Sequence, residues 1–490
     1  MSTIGISLAD NGITACLWDG RESALIPLES GSAYSPGYAY LGDRGLILGE
    51  GAIAAFKLNP SRTTDRFWDQ LSLAPSALAA RSKPISHAHL AYIHLKMVWD
   101  RISALGESID SVGFAVPGQL LTADPAEEER LGILLGIVSD LSIPISSLLP
   151  IELSGFHYNA PDSVASAGVV YHLDVHQYRT HLYRLSGLGE LRSQPVGKIP
   201  DCGFHPIVES LHSKLAQRFL SETAFDISED LEVEQLFFEK IRKLLYGGHQ
   251  RTMELSIPFE GRQISIQLGV DLLERLVAPF TERIADTVFR SLREDLQGGS
   301  HPRIVLQLTG RAAALPGLAA FIQRHAPLPV EVITAERGEA AAGAARIAAR
   351  FKPAVDLQHT PVFSTWKRPE LGMDAYETST STSGEPSEAT LSPTHLLYGS
   401  IAFPIASSGV IQGRPVNGNP LPGEVTRAFQ FPWPGSDLRL HPSLDNPLKV
   451  NDRPASGEFV LKTGDSLSVS HDGKFYQLRC IHCPPPSPSS

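Results

Sequence analysis

Three polar residues alternate along one short apolar run, where their side chains could act together. His172, Asp174 and His176 are each separated by one residue, and a β-strand directs alternate side chains to the same side. Imidazole and carboxylate groups in such a row are a candidate metal face. These residues alone do not fix a coordination geometry, so we expect no metal site.

A second charged group lies on a predicted amphipathic helix, FFEKIRKLL. Glu239 and Lys243 are four positions apart, and Arg242 precedes Lys243. Glu and Lys at this spacing commonly form an ion pair on an exposed helix face. A ligand site on the helix is the alternative.

The C-terminal end carries one Cys-X-X-Cys pair, in which Cys480 and Cys483 flank His482. A structural zinc ion requires four ligands, and no second pair follows. Cysteines at the end of a strand are the simpler interpretation.

The elements that must position these residues form three regions. Residues 1–352 alternate strand-like and helix-like runs, which indicates an α/β domain. Residues 353–393 are rich in Ser, Thr, Pro and Glu; they predict a flexible linker because they can bury little apolar surface. Residues 394–484 are short β-type runs between turn residues, and residues 485–490 form a tail.

Two halves of the first region have similar element orders. TIGISLA and ITACLWDG predict a hairpin with Asp10, Asn11 and Gly12 at its turn, and AGVVYHLDV and QYRTHLYRLS predict another. Each hairpin is followed by a further strand and a helix, namely SVGFAVP with PAEEERLGILLGIVSDL and RIVLQLTG with LPGLAAFIQRHA. EAAAGAARIAARF predicts an Ala-rich helix that can pack closely on a sheet. This repetition predicts an internally duplicated fold.

Composition excludes several classes of function. The chain has 490 residues and a net charge of -11, so it has no basic surplus with which to neutralise the phosphates of nucleic acid. The sequence offers no apolar run long enough for membrane insertion and no secretory signal. Four cysteines do not form a disulfide framework. We therefore expect a cytoplasmic protein of two to four domains.

The element order over residues 3–350 resembles the DnaK-type heat-shock chaperones and their actin-like relatives. The chain has IGISLADN where that family has I-G-I-D-L-G-T-T, and GEGA, NPSRT, AVPGQ, IELSG and LTGRAAALPG follow in the family's order. The resemblance implies a duplicated actin-like ATPase fold, with two lobes around a cleft, followed by a small β-sandwich.

The resemblance also implies that the ATPase chemistry is lost. Such proteins hold Mg·ATP between two hairpins whose turns donate backbone N–H groups to the phosphates. Ser7 and His172 stand where the family has loop aspartates, Trp68 stands at the catalytic lysine, and Asp10 brings a carboxylate to the phosphate turn. Glu152 retains the hinge glutamate. The chain is therefore predicted to be a pseudo-ATPase with no catalytic residues, no metal and no cofactor.

The residues that match the family's adenosine-binding region are closer to the family pattern than the phosphate loops are. Glu239, Arg242 and Lys243 match the helix that holds adenine and ribose in the family, and Gly310 remains from the family's glycine pair. Binding of ATP or ADP is therefore the alternative to an empty cleft.

Residues 394–484 resemble a forkhead-associated domain, a β-sandwich that reads phosphothreonine from its loops. Arg414 in GVIQGR and Arg427 in TRAF match its two motif arginines, whereas Phe429 replaces its histidine. Guanidinium groups recognise phosphate through charge-assisted pairs. A sandwich used only for docking is the alternative.

Together these features predict a non-catalytic scaffold or regulatory subunit that binds a protein partner, such as an active chaperone homologue or a phosphoprotein. One alternative is an ATP-binding heat-shock-type chaperone with an altered nucleotide pocket. The other alternative is a phosphothreonine-dependent adaptor.

Overall fold

In the computed structural model the chain divides into two compact units, Met1–Asp374 and Ala375–Ser490. The first unit is a mixed α/β structure with several sheets. The structure describes residues 2–367, apart from 81–82, 107, 188–189, 247–251, 298–302, 355–356 and 358–359, and the strands between residues 395 and 481.

The strands of the first unit have from two to eleven residues. In chain order they are β1 (Ser2–Ala9), β2 (Gly12–Trp18), β3 (Ser23–Leu25), β4 (Tyr34–Pro36), β5 (Ala39–Gly42), β6 (Gly45–Leu48), β7 (Thr63–Thr64), β8 (Pro75–Ala80), β9 (Lys83–Ser86), β10 (Ile109–Val116), β11 (Ile145–Pro150), β12 (Val169–Val175), β13 (Arg179–Ser186), β14 (Glu190–Pro200), β15 (Thr252–Phe259), β16 (Arg262–Gly269), β17 (Ile304–Leu308), β18 (Val330–Thr334) and β19 (Thr365–Lys367).

The helices of the first unit separate and cover these strands. They are α1 (Glu50–Ile53), α2 (His87–Ser103), α3 (Pro125–Asp140), α4 (Ile151–Tyr158), α5 (Asp162–Ser166), α6 (Phe204–Thr223), α7 (Leu231–Tyr246), α8 (Val270–Gln297), α9 (Gly310–Ala313), α10 (Leu318–His325) and α11 (Glu339–Ala348), with short 3-10 helices at Pro60–Arg62, Gly118–Leu121 and Ile227–Glu229. The amphipathic helix and the Ala-rich helix that the sequence predicts are confirmed as α7 and α11.

Two six-stranded sheets share one pattern of strand directions. In the first, β1 is antiparallel to β2 and parallel to β10, which is parallel to β11. In the second, β12 is antiparallel to β13 and parallel to β17, which is parallel to β18. Both predicted hairpins are confirmed. Because parallel strands end at the same edge of a sheet, each hairpin turn lies beside the carboxyl ends of two further strands.

Each sheet has its own apolar core. In the first, Ile6 and Phe114 pack with Leu90 of α2, and in the second, Leu173 packs with Phe237 of α7; all these side chains are buried. We call residues 2–158 with 339–348 the first lobe and residues 169–334 the second lobe.

The Ala-rich helix α11 lies against β1 and β10 of the first lobe and against α4. A Cβ atom at Gly5 would overlap the backbone of Ala341, and one at Gly343 would overlap the carbonyl oxygen of Ser154. This confirms the predicted close packing of α11, which depends on the absence of a side chain at Gly5 and Gly343.

The first unit continues beyond residue 352, where the sequence analysis begins its linker. Strand β19 pairs with β14, and Trp366 is only 5% exposed. The Trp366 ring lies 5.6 Å from that of Phe156. This aromatic anchor places Thr365–Lys367 in the α/β unit, which corrects the predicted start of the linker.

The second unit is described by its strands, which confirm the β-type runs predicted there. They are β20 (His395–Tyr398), β21 (Ile401–Pro404), β22 (Phe429–Gln430), β23 (Arg439–Pro442), β24 (Leu448–Val450), β25 (Arg453–Pro454), β26 (Phe459–Val460), β27 (Ser466–His471) and β28 (Lys474–Ile481). The pairings are antiparallel, in the orders β21-β20-β28-β27-β24-β25 and β22-β23-β26.

In the part of the chain that the structure describes, no helix has the length and apolar character needed to cross a membrane.

Candidate functional site

The turns of the two hairpins contact each other directly. The backbone N–H of Gln177 donates to both carboxylate oxygens of Asp10, each at 3.1 Å. His176 Nδ1 lies 3.1 Å from Asp10 Oδ1, and its Nε2 lies 3.1 Å from Asp174 Oδ2. One imidazole thus joins a carboxylate of the first lobe to a carboxylate of the second. We call Asp10, Asp174, His176 and Gln177 the interlobe bridge.

The charges of the interlobe bridge are buried and mutually dependent. Burial opposes a charge on His176, but the two adjacent carboxylates raise the pKa of His176 to about 10. Burial acts to raise the pKa of Asp174, yet the His176 charge holds that pKa well below its ordinary value. At neutral pH the bridge is therefore an imidazolium between two carboxylates. A phosphate at the first turn would meet the Asp10 charge and would have to displace that carboxylate from the Gln177 N–H.

A second interlobe contact flanks the bridge. Gln177 Nε2 donates to Asp65 Oδ2 at 2.8 Å and to the Tyr38 hydroxyl at 2.7 Å. The Tyr178 hydroxyl also donates to Asp65. Both the backbone and the side chains of the second turn are therefore engaged by the first lobe.

Trp68, at the position that resembles the catalytic lysine, belongs to the core of the first lobe. The side chain is 3% exposed, and its Nε1 donates to His94 Nδ1 at 2.9 Å. Burial lowers the pKa of His94 to about 3, so this histidine is neutral. His94 Nε2 lies 2.8 Å from the Ser35 hydroxyl. Trp68 therefore supports the first lobe and presents no cation to a ligand.

Glu152, at the position that resembles the family's hinge glutamate, also connects the lobes. Its carboxylate accepts hydrogen bonds from the Gly118 N–H and from the hydroxyl of Ser193, which lies on β14 of the second lobe. The residue is 2% exposed, and burial raises the pKa of Glu152 to about 7 against the effect of these donors. Glu152 therefore titrates near neutral pH.

A large cavity lies between the lobes, with a volume of about 790 Å³ that falls within the usual range for small-molecule sites. The four predicted adenosine-side residues line it, together with Ser7 and His172, whereas Trp68 and Glu152 do not. The fold thus brings together residues from α7, β1, β12 and α9. The charged residues that line this cavity are Glu50, Asp174, Glu239, Arg242, Lys243, Arg311, Glu336, Arg337 and Glu339.

A hydrogen-bond chain runs along one wall of this central cavity. Gln307 Nε2 donates to Glu339 Oε1 at 2.8 Å, which assigns Gln307 Oε1 as the acceptor for His172 Nδ1 at 2.9 Å. Burial lowers the pKa of His172 and raises that of Glu339 to about 7. His172 is therefore a neutral imidazole with its proton on Nδ1.

The candidate metal face divides into two different environments. His172 bonds to Gln307, whereas His176 and Asp174 form part of the interlobe bridge. Within the described residues, no group of three or more His, Cys, Asp or Glu side chains is placed to hold a metal ion.

Glu239 has a partner other than the one its spacing suggested. Its Oε1 accepts from Gln235 Nε2, which also donates to the carbonyl oxygen of Ile53 in the first lobe. Across the described residues, no ion pair joins Glu239 to Lys243, so the i,i+4 interpretation is wrong.

The predicted phosphate-reading residues Arg414 and Arg427 lie outside the described residues, as do His482 and Cys483. Cys480 lies on β28, and Phe429 begins β22.

The interlobe bridge and Arg311 were not predicted from the sequence. Asp10 and Gln177 are 167 positions apart, and no local pattern connects them. Arg311 directly follows the predicted Gly310 at the start of α9, and this position next to a predicted site residue was an available signal.

No protein-family model and no curated protein matches the chain. Function is therefore inferred from the residues around the cavity and between the lobes.

Proposed function

We propose that the chain is a non-catalytic DnaK/actin-like scaffold or regulatory subunit that binds a protein partner in the cytoplasm. The observation that carries this proposal is the interlobe bridge. Asp10, His176 and Gln177 occupy the two turns between which Mg·ATP lies in the proteins that the chain resembles. The shared strand pattern of the two sheets supports a duplicated actin-like fold.

The residues at the remaining catalytic positions support the absence of turnover. Phosphoryl transfer depends on cations and donors that neutralise charge on the transferred group. Trp68 is neutral and buried, and His172 is neutral and bonded to Gln307. A lone Glu152 without metal-binding partners does not make a hydrolytic site.

The contacts between the lobes support a scaffold. Lys57 pairs with Glu209 at 2.8 Å, and Arg179 of the second turn pairs with Asp69. A ligand shifts a conformational equilibrium only through its different affinities for the two states. Side chains that already join the lobes favour one arrangement without a nucleotide. Two lobes fixed in this way offer a constant surface to a partner, for which an active chaperone homologue and a phosphoprotein are the candidates.

An ATPase measurement tests this proposal. The purified full-length chain should release phosphate from Mg·ATP no faster than the buffer background. A Mg²⁺-dependent turnover that Glu152→Ala abolishes would overturn the proposal. Partners purified with the chain from its native cells should be lost with Asp10→Asn and kept with the surface variant Asp43→Asn.

An ATP-binding chaperone with an altered pocket is the second candidate. The supporting observation is that Glu239, Arg242, Lys243 and Gly310 line one cavity of suitable volume. ADP should then raise the melting temperature, because a ligand that binds only the folded state stabilises it. Glu239→Ala should remove that effect, whereas Glu232→Ala on the exposed face of the same helix should not. The phosphothreonine-dependent adaptor remains a prediction from Arg414 and Arg427.

A further inference from the structure

Arg242 is a buried cation without an acidic partner among the described residues. It is 7% exposed and lines the central cavity. The guanidinium carbon lies 4.6 Å from the centre of the Tyr38 ring and 5.7 Å from that of Phe238. Its Nη1 has no hydrogen-bond acceptor in the described part of the chain. Burial of an unpaired charge is costly, so such a group indicates an absent counter-ion.

A second guanidinium lies near the same aromatic ring as the first. The guanidinium carbons of Arg242 and Arg311 lie 5.9 Å and 4.8 Å from the centre of the Phe204 ring. Arg311 also lines the cavity and donates to the Tyr34 hydroxyl at 2.8 Å. Lys243, the next residue on α7, adds a third cation to the lining. These three positive groups make the cavity lining suitable for an anion, because guanidinium groups form strong charge-assisted bonds with phosphate and carboxylate.

The cavity also presents an unused hydrogen-bond acceptor. His172 is 3% exposed and lines the cavity, and its Nε2 has no partner within the described residues. Since Gln307 fixes the proton on Nδ1, Nε2 carries a lone pair. A neutral acceptor of this kind is matched by a hydroxyl group and not by another anion.

We propose that the central cavity binds a hydroxylated organic anion without a metal ion. Arg242, Arg311 and Lys243 hold a phosphate or carboxylate group, and His172 Nε2 accepts a hydrogen bond from a hydroxyl of the same ligand. Side-chain cations supply the positive charge that Mg²⁺ would otherwise supply. This inference is independent of the proposed scaffold function, since a bound anion does not require ATP turnover.

Titration calorimetry in EDTA, with ribose 5-phosphate, ribose and inorganic phosphate as probes, tests this site. Binding of ribose 5-phosphate to the full-length chain should be detected with up to about 10 mM of this probe, and its dissociation constant should be lower than that of either other probe. Arg242→Gln should weaken its binding about tenfold or more, because it removes charge-assisted bonds. Arg242→Lys should recover part of the affinity. Arg324→Gln, on an exposed face of α10, is the matched control and should bind like the natural chain.

Two further variants keep the test independent of folding. Lys243 is exposed, so Lys243→Gln leaves the core intact. It should lower the affinity for ribose 5-phosphate several-fold, which is about the effect of losing one charge-assisted bond. His172→Phe should reduce the affinity for ribose 5-phosphate to the level of the affinity for inorganic phosphate. The affinity for inorganic phosphate should be the same in this variant as in the natural chain. Equal affinity in Arg242→Gln, Lys243→Gln and the natural chain would overturn the proposal. Absence of binding, or binding only when Mg²⁺ is added, would overturn it equally.

Discussion

Asp10→Asn tests the interlobe bridge with the smallest change of shape. Asparagine keeps an oxygen that can accept from the Gln177 N–H, but it removes the charge that faces His176. Its amide NH2 replaces one of the two acceptor oxygens with a donor, which then faces either the Gln177 N–H or the His176 Nδ1–H. The substitution therefore removes one of the two buried ion pairs of His176 and leaves its pair with Asp174.

The expected loss of stability is about 3 kcal/mol, at the lower end of the cost of breaking a buried ion pair. The lower end applies because Asp174 still accompanies His176. Asp43→Asn is the control, since Asp43 pairs with Arg62 at 2.7 Å while its side chain is 90% exposed. Exposed pairs contribute about 0–1 kcal/mol.

The loss should depend on pH in a defined direction. The pKa of His176 is raised to about 10 in the folded chain, whereas an unfolded histidine titrates near pH ~6.5. The stabilisation from its charge is therefore complete below the unfolded pKa and is lost as pH rises towards the folded pKa. Asp10→Asn should cost most near pH ~6 and progressively less towards pH ~9.5.

Urea unfolding at several pH values measures this loss, and hydrogen exchange at the Gln177 amide reports the bridge locally. Protection of that amide should fall in Asp10→Asn and stay unchanged in Asp43→Asn. The reasoning is refuted if the two variants cost the same at pH ~6, or if the cost of Asp10→Asn does not change with pH.

Two more substitutions test other parts of the fold. Burial raises the pKa of Glu152 above its unfolded value to about 7, so its contribution favours folding at low pH and is lost as pH rises through 7. As pH rises from ~5 to ~8, the free energy of unfolding of Glu152→Gln should therefore increase relative to that of the natural chain, by up to about 3 kcal/mol. A difference between the two chains that does not change with pH would contradict the assigned pKa. Gly343→Ala should destabilise the chain by more than about 3 kcal/mol, because its methyl group would overlap the Ser154 carbonyl oxygen. Gly132→Ala on the exposed side of α3, where a Cβ meets no neighbour, should instead stabilise by about 0.5–1 kcal/mol; similar unfolding midpoints for the two variants would refute the close packing of α11.

Local sequence patterns predicted the elements that carry the site. The hairpins at β1–β2 and β12–β13 and the helices α7 and α11 follow from alternation, helical periodicity and small residues, which are properties of neighbouring positions. The position of Arg242 on a helix followed in the same way. The failed pairing of Glu239 with Lys243 has a tertiary cause, since Gln235 couples Glu239 to the carbonyl of Ile53 in the first lobe.

The sequence by itself determined a mixed α/β chain, and it predicted two similar halves that lack the residues expected for the ATPase chemistry of the family that the chain resembles. Only the tertiary structure decided what those residues do instead: Asp10 binds His176 and Gln177, Trp68 packs against His94, and Arg242 is buried without an acid beside it among the described residues. The physical reason is that charge pairing and desolvation depend on distance in space. Asp10 and Gln177 approach each other only after two separate sheets have formed and their carboxyl edges have met.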